Sequence, residues 1–224
     1  MENIANITKK LSAARERVKR ATKALAPKHK GGEMEEFRSA RSELLDVERE
    51  LSAATGEEYA VTLQFPAQWD TGAPSPHIVA NEYRVFLIFL LRVPDPNWDG
   101  TYVTIKDPSA GATESLALVE FVHCTAFKMG TPNDEVLSGH SLFGKGLEGY
   151  KAQEVFNSRW LKDLQNINKV HMHFDPDSWR DRHHYILWFH DSTFECVARH
   201  YKVETFKESF PELVARATRR LWER

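Results

Sequence analysis

The N-terminal part of this chain leaves few choices of fold. Ile4, Ile7, Leu11, Ala14, Val18, Ala21 and Leu25 recur at alternating steps of three and four, and Phe37, Ala40, Leu44, Val47, Leu51 and Ala54 repeat the pattern. That spacing holds the apolar side chains on one stripe of a helix, so two amphipathic helices are predicted. Between them Ala26-Pro27-Lys28-His29-Lys30-Gly31-Gly32 combines a helix-stopping proline with a flexible glycine pair, which predicts a reversal into an antiparallel hairpin over residues 1–56. Charge agrees with the pairing. Residues 1–30 carry nine Lys/Arg against two Glu, whereas residues 31–58 carry nine Asp/Glu against three Arg. Packing one helix on the other is expected to neutralise most of both. The seams are short and alanine-rich, and short helices draw most of their stability from tertiary packing. The hairpin should therefore dock on the rest of the chain or associate with a second copy or another protein. A nucleic-acid arm is the competing reading of the basic helix, disfavoured by the acidic neighbour and the missing aromatics.

With 42% hydrophobic and 11% aromatic residues among 224, the chain can fill a substantial core, as one large domain or a smaller domain with an appendage. A net charge of -2 gives no overall attraction to nucleic acid or anionic membrane. The longest apolar run, Val85 to Leu91, has the length of a buried strand rather than of a membrane span, and no signal-peptide segment opens the sequence, so a cytoplasmic protein without a membrane partner is expected. Cys124 and Cys196 read as two buried reduced thiols.

Residues 57 to about 130 read as β-sheet. Tyr59, Val61, Leu63 and Phe65 alternate with Ala60, Thr62 and Gln64, the period of a strand with one apolar face. A loop with Pro66, Gly72, Pro74 and Pro76 follows. Tyr83 to Val93 is too apolar to face water on either side and belongs centrally in the sheet. Pro94 to Gly100 is a dense turn signal, Thr101 to Ile105 a short strand, Pro108 to Thr113 another loop, and Leu116 to Lys128 a long strand containing His123.

In the last part, Gly139 to Tyr150 holds four glycines without the order of a phosphate-binding loop. It is either a tight surface loop or a backbone lip near a ligand, with His140 and Lys145 as polar contacts. A helix presenting Phe156, Trp160, Leu164 and Ile167 is expected next. Near the C-terminus Thr205/Glu208 and Ser209/Glu212 each match a helix capping box, ahead of a buried stripe of Phe210, Leu213, Val214, Ala217 and Leu221. Arg216, Arg219 and Arg220 read as solvated cations near the negative helix end.

Six histidines fall between 171 and 200: His171, His173, His183, His184, His190 and His200. Tyr185–Phe189 and Phe194–Ala198 form two apolar strands around His190-Asp191-Ser192-Thr193, which predicts a hairpin with Asp191 and Ser192 as its loop. One face would then hold His183, Tyr185, Leu187, Phe189, Phe194, Cys196, Ala198 and His200 toward the core. The other would carry His184, Ile186, Trp188, His190, Thr193, Glu195, Val197 and Arg199, a polar and aromatic mixture suited to a pocket, with His184, Trp188 and Arg199 as ligand contacts. Glu195, diagonal to His190, would complete an acid/base pair for a hydrolase or lyase, or a plain cross-strand salt bridge. His171 and His173, in an extended HxH, could hold a divalent cation such as zinc with a third ligand from His140 or His190. The alternative makes Val170 to Trp179 a polar connector.

These readings predict an α+β protein: an N-terminal antiparallel helical hairpin, then over 57–224 a mostly antiparallel sheet of about five or six strands packed with two helices. The leading functional expectation is a binding or regulatory protein, its hairpin mediating association and its polar-aromatic sheet face receiving a small ligand or peptide. The His190/Glu195 enzyme, with or without metal, is the alternative.

Overall fold

Alternating three-four spacing does produce two helices, α1 (Ile4–Ala24) and α2 (Gly32–Thr55), in the computed structural model, which describes residues 3–25, 32–94 and 107–223. Asn3 caps α1, its side-chain oxygen accepting the Ala5 N–H at 3.0 Å. Ile7, Leu11 and Ala14 interlock with Leu44 and Val47, flanked by Val18 and Leu51. Lys10 reaches Glu50 while Arg17 reaches Glu36 and Glu43, so the helices run antiparallel. Most of the reversing segment lies outside the described residues, as do the predicted strand Thr101–Ile105 and most of the turn before it.

Nine strands follow among the described residues: β1 (Tyr59–Thr62), β2 (His77–Ala80), β3 (Val85–Leu90), β4 (Thr113–Val122), β5 (Ala126–Gly130), β6 (Ala152–Phe156), β7 (His183–Trp188), β8 (Thr193–Ala198) and β9 (His200–Ser209). They form two antiparallel sheets, ordered β1-β6-β7-β8-β5 and β2-β3-β4-β9. Two long strand pairs turn a corner together. His123, at φ 52°, bends the chain between β4 and β5, and Arg199 marks the step from β8 to β9. Backbone bonds Thr125 N–H to Val197 O (2.7 Å) and Arg199 N–H to Val122 O (3.0 Å) carry the ladder across the bend. The long strand expected over Leu116–Lys128 is thus two strands in different sheets.

The main core lies between the sheets. Val85, Leu87, Phe89, Ala117, Val119 and Phe121 meet Ala152, Tyr185, Leu187, Phe194, Cys196 and Ala198, with Trp69 and Phe189 among them. β3 is buried at all six positions because Phe86, Ile88 and Leu90, on its other face, lie beneath α4 (Phe210–Arg220) through Phe210, Leu213 and Ala217. Its unbroken apolar run is the signature of a strand covered on both sides. Ser209 and Glu212 form the capping box of α4, whereas Thr205 and Glu208 belong to β9 and cap nothing. Arg216 and Arg220 are not simply solvated: they reach back to Glu208 and Glu204 on that strand.

The class is α+β as expected, with more strands than the predicted five or six. β2, β6 and β9 were not foreseen: β2 is four residues long, and β9 carries mostly exposed polar side chains. Phe156 ends β6, and the following helix, α3, covers only Arg159–Asn168. No helix among the described residues is long and apolar enough to cross a membrane.

The hairpin is anchored to the sheets at one end. Arg49 donates to Ala60 O (2.9 Å), Gly146 O (3.2 Å) and Glu148 (3.0 Å), Glu48 accepts the Gly146 N–H (3.3 Å), and Lys145 pairs with Glu57 (2.6 Å). Gly146 sits at φ +83°, where a Cβ would lie 2.5 Å from Ala60 O, so only glycine permits this approach.

Candidate functional site

The predicted polar-aromatic face exists, but the chain itself covers it. Observed pairs run from His183↔Ala198 to Trp188↔Thr193, leaving residues 189–192 as the connection instead of a two-residue loop. The register moves by an even number of positions, so both faces keep the predicted strand residues. On the outer face Ala60, Val155, Ile186 and Trp188 pack beneath Leu142 and Leu147 of the glycine-rich segment and Leu137 just before it. That segment is a lid on the sheet, and the face is not an open ligand platform.

Beneath it runs a continuous polar chain. His184 Nε2 lies 2.8 Å from Glu195 Oε2, and its Nδ1 lies 2.8 Å from the Ser158 hydroxyl. Ser158 caps α3 by accepting the Leu161 N–H at 3.1 Å, and Lys128 Nζ lies 2.9 Å from Glu195 Oε1 and 4.9 Å from the centroid of the Trp160 ring. A His184 that donates through Nε2 to the carboxylate accepts the serine proton at Nδ1, which satisfies every member. Burial opposes ionisation of Glu195, but the His184 and Lys128 hydrogen bonds outweigh it and hold the carboxyl below its ordinary value. A serine, an imidazole and a carboxylate in line are the parts of a nucleophilic relay. Here Ser158, His184 and Glu195 are 5%, 4% and 6% exposed, and the hydroxyl oxygen is engaged at a helix terminus. The arrangement fastens α3 to the sheet. His140 stands edge-on to Trp188 with ring centres 5.4 Å apart, and burial pushes its imidazole pKa below the ordinary value.

The acid/base pair of His190 with Glu195 is not formed, because the longer connection carries His190 past the end of β7 while Glu195 turns to His184. His190 instead meets Asp134 and Tyr150. Its Nδ1 lies 3.1 Å from Asp134 Oδ2 and 2.9 Å from the Tyr150 hydroxyl, which donates to the same carboxylate. The tyrosine hydrogen bond, against the opposing effect of burial and with help from His190, holds the Asp134 carboxyl below its usual range. Burial, then Asp134, pushes the Tyr150 phenol up. Tyr150 holds φ 59°, a left-handed conformation uncommon for a bulky residue and worth roughly 1 kcal/mol or more of strain.

Beside Tyr150 opens a cleft of about 200 Å³, lined also by Phe65, Trp69, Arg92 and Lys151. It lies on the chain leaving β1 and on the residues entering β6.

The other predicted site residues are scattered. Lys145 serves the hairpin anchor, and Arg199 Nε lies 3.0 Å from Asp181 at the sheet corner. His171 and His173 sit on an exposed turn after α3, not on a strand, with ring centres 5.7 Å apart. Among the described residues no group of three His, Cys, Asp or Glu could hold a metal ion, so neither His140 nor His190 joins them. Both cysteines are free: Cys196 is buried in the core, and Cys124 interacts with it from a partly buried position. Lys128 and Ser158 were missed, although Lys128 pairs directly with Glu195 and Ser158 stands where a helix cap belongs. Asp134 and Tyr150 carry no sequence signal linking them to His190. Comparison with family models, curated proteins and solved structures gives no match to this chain.

Proposed function

We propose that this chain is a non-catalytic binding protein that associates through its helical hairpin, with a second copy of itself as the partner best matched in charge. The observation that carries the reading is the incomplete neutralisation of the hairpin. Across it, only Lys10 and Arg17 make ion pairs among the described residues, while Lys9, Arg15 and Lys23 are exposed without a carboxylate partner. On α2 a shallow groove beside Arg17 is lined by Ser39, Ser42, Glu43, Asp46 and Glu50. By helical spacing this flank lies away from Leu45, Glu48, Arg49 and Ser52, the side turned to the sheets. By helical spacing Lys9 and Arg20 fall on the α1 side of this flank, while Glu43, Asp46 and Glu50 each hold one cation yet keep 39–71% of the side chain exposed to a second, with serines small enough for close approach. A two-fold axis would set α1 of each copy on α2 of the other, the self-complementary contact that closes a dimer.

Sedimentation of the full chain across a concentration series tests this. The expected result is a reversible dimer that weakens from about 0.1 M to about 1 M salt, as the screening length shortens from about 10 Å to about 3 Å. A monomer at every concentration at low salt would remove the proposal.

A further inference from the structure

We propose that the cleft between Trp69 and Tyr150 binds a small aromatic carboxylate, a role that goes beyond hairpin association and does not depend on it. Three aromatic side chains, Phe65, Trp69 and Tyr150, supply its walls, and Phe65 meets Trp69 edge-on with ring centres 6.2 Å apart. Arg92 and Lys151 are its charged lining residues, both exposed, and neither side chain has an ionic or hydrogen-bonding partner among the described residues. Among the described residues no carboxylate lines the cleft. Two unpaired cations with no acid in the lining favour an anion, and a guanidinium binds a carboxylate through two parallel bonds.

At the buried end Trp69 is 4% exposed and packs against Phe89 and Phe189, which holds this wall in place. Size limits the ligand: a dry cavity of about 150 Å³ admits benzene, so about 200 Å³ suits one ring bearing a carboxylate. Tyr150 is fixed from behind by Asp134 and His190, which makes those two positioning residues for the cleft wall. Aromatic walls select a flat ligand over an inorganic anion.

Calorimetric titration of the full chain with benzoate, benzamide and inorganic phosphate tests the assignment. Benzoate should bind saturably at one site, with benzamide and phosphate each at least about tenfold weaker, and Arg92→Gln or Lys151→Gln should weaken benzoate by about tenfold. His190→Ala should weaken benzoate less, by about threefold, through a loosened Tyr150. Absent benzoate binding, equal binding of benzamide, or indifference to both cation substitutions would overturn the carboxylate. Phosphate bound as tightly as benzoate would overturn the aromatic part.

Discussion

The hairpin and the paired sheets, joined near Gly146, treat polar groups in opposite ways. Inside the sheets the buried Glu195 and His184 are held by hydrogen bonds and an ion pair, with Trp160 edge-on to the His184 ring. On the hairpin a thin seam of Ile7, Leu11, Ala14, Leu44 and Val47 carries an exterior whose charges are only partly matched. The contrast separates two meanings of a polar residue. Satisfied and buried, it holds the fold together; exposed and unmatched, it is available to a partner.

The largest effect should come from the sheets. Trp188→Ala removes a side chain with 0% exposure from beneath the lid and should cost about 3–5 kcal/mol in urea denaturation. A loss below about 1 kcal/mol would show that the lid is loosely packed. His184→Ala strips the buried Glu195 carboxylate of one partner and should cost about 3 kcal/mol, with Lys128 limiting the damage. If that variant is as stable as the parent, the polar chain does not fasten α3.

Gly146→Ala acts at the junction of the two regions. The added Cβ meets Ala60 O and the backbone is left-handed, so about 2–3 kcal/mol should be lost. Hydrogen exchange should then rise near the C-terminal end of α2 and leave β3 protected. Uniform loss of protection would instead make hairpin and sheets one cooperative unit.

Acid offers a smaller and graded test. His140 has a folded pKa below its ordinary 6.5, so the unfolded chain takes up a proton first and stability is lost as pH falls beneath about 6.5. Glu195 and Asp134 have depressed carboxyl values, so their contribution is present above the ordinary carboxylate range near pH 4 and is lost below it. Thermal melts should therefore fall in two stages, and His140→Gln should flatten the upper one. A melting temperature constant from pH 7 to pH 5 would contradict the burial of a neutral His140.

How far this was legible from sequence depends on whether periodicity alone decides an element. The seams of α1 and α2, the run of β3 and the Ser209/Glu212 cap are local signals, and each reappears in the structure. β9 was invisible because an edge strand with Lys202, Glu204, Lys207 and Glu208 reads like a solvated loop. The His184 side of the hairpin was identified by alternation, but its partner was not, since a connection two residues longer moved Glu195 from His190 to His184. Long-range closures such as Asp134 with Tyr150 and His190 depend on where loops return, which composition does not encode.

The hairpin account rests on charge matching between copies, and a charge-exchange mixture isolates it. One variant carries Lys9→Glu and Arg20→Glu on α1, another Ser42→Lys and Asp46→Lys on α2, which leaves the Lys10–Glu50 and Arg17–Glu43 pairs within each hairpin intact, and circular dichroism confirms that each remains helical. Each alone should sediment as a monomer because like charges face each other across the two-fold contact, whereas an equimolar mixture should restore the dimer. Dimers of either variant alone, or a mixture that stays monomeric while the parent chain dimerises, would contradict an interface between α1 of one copy and α2 of the other.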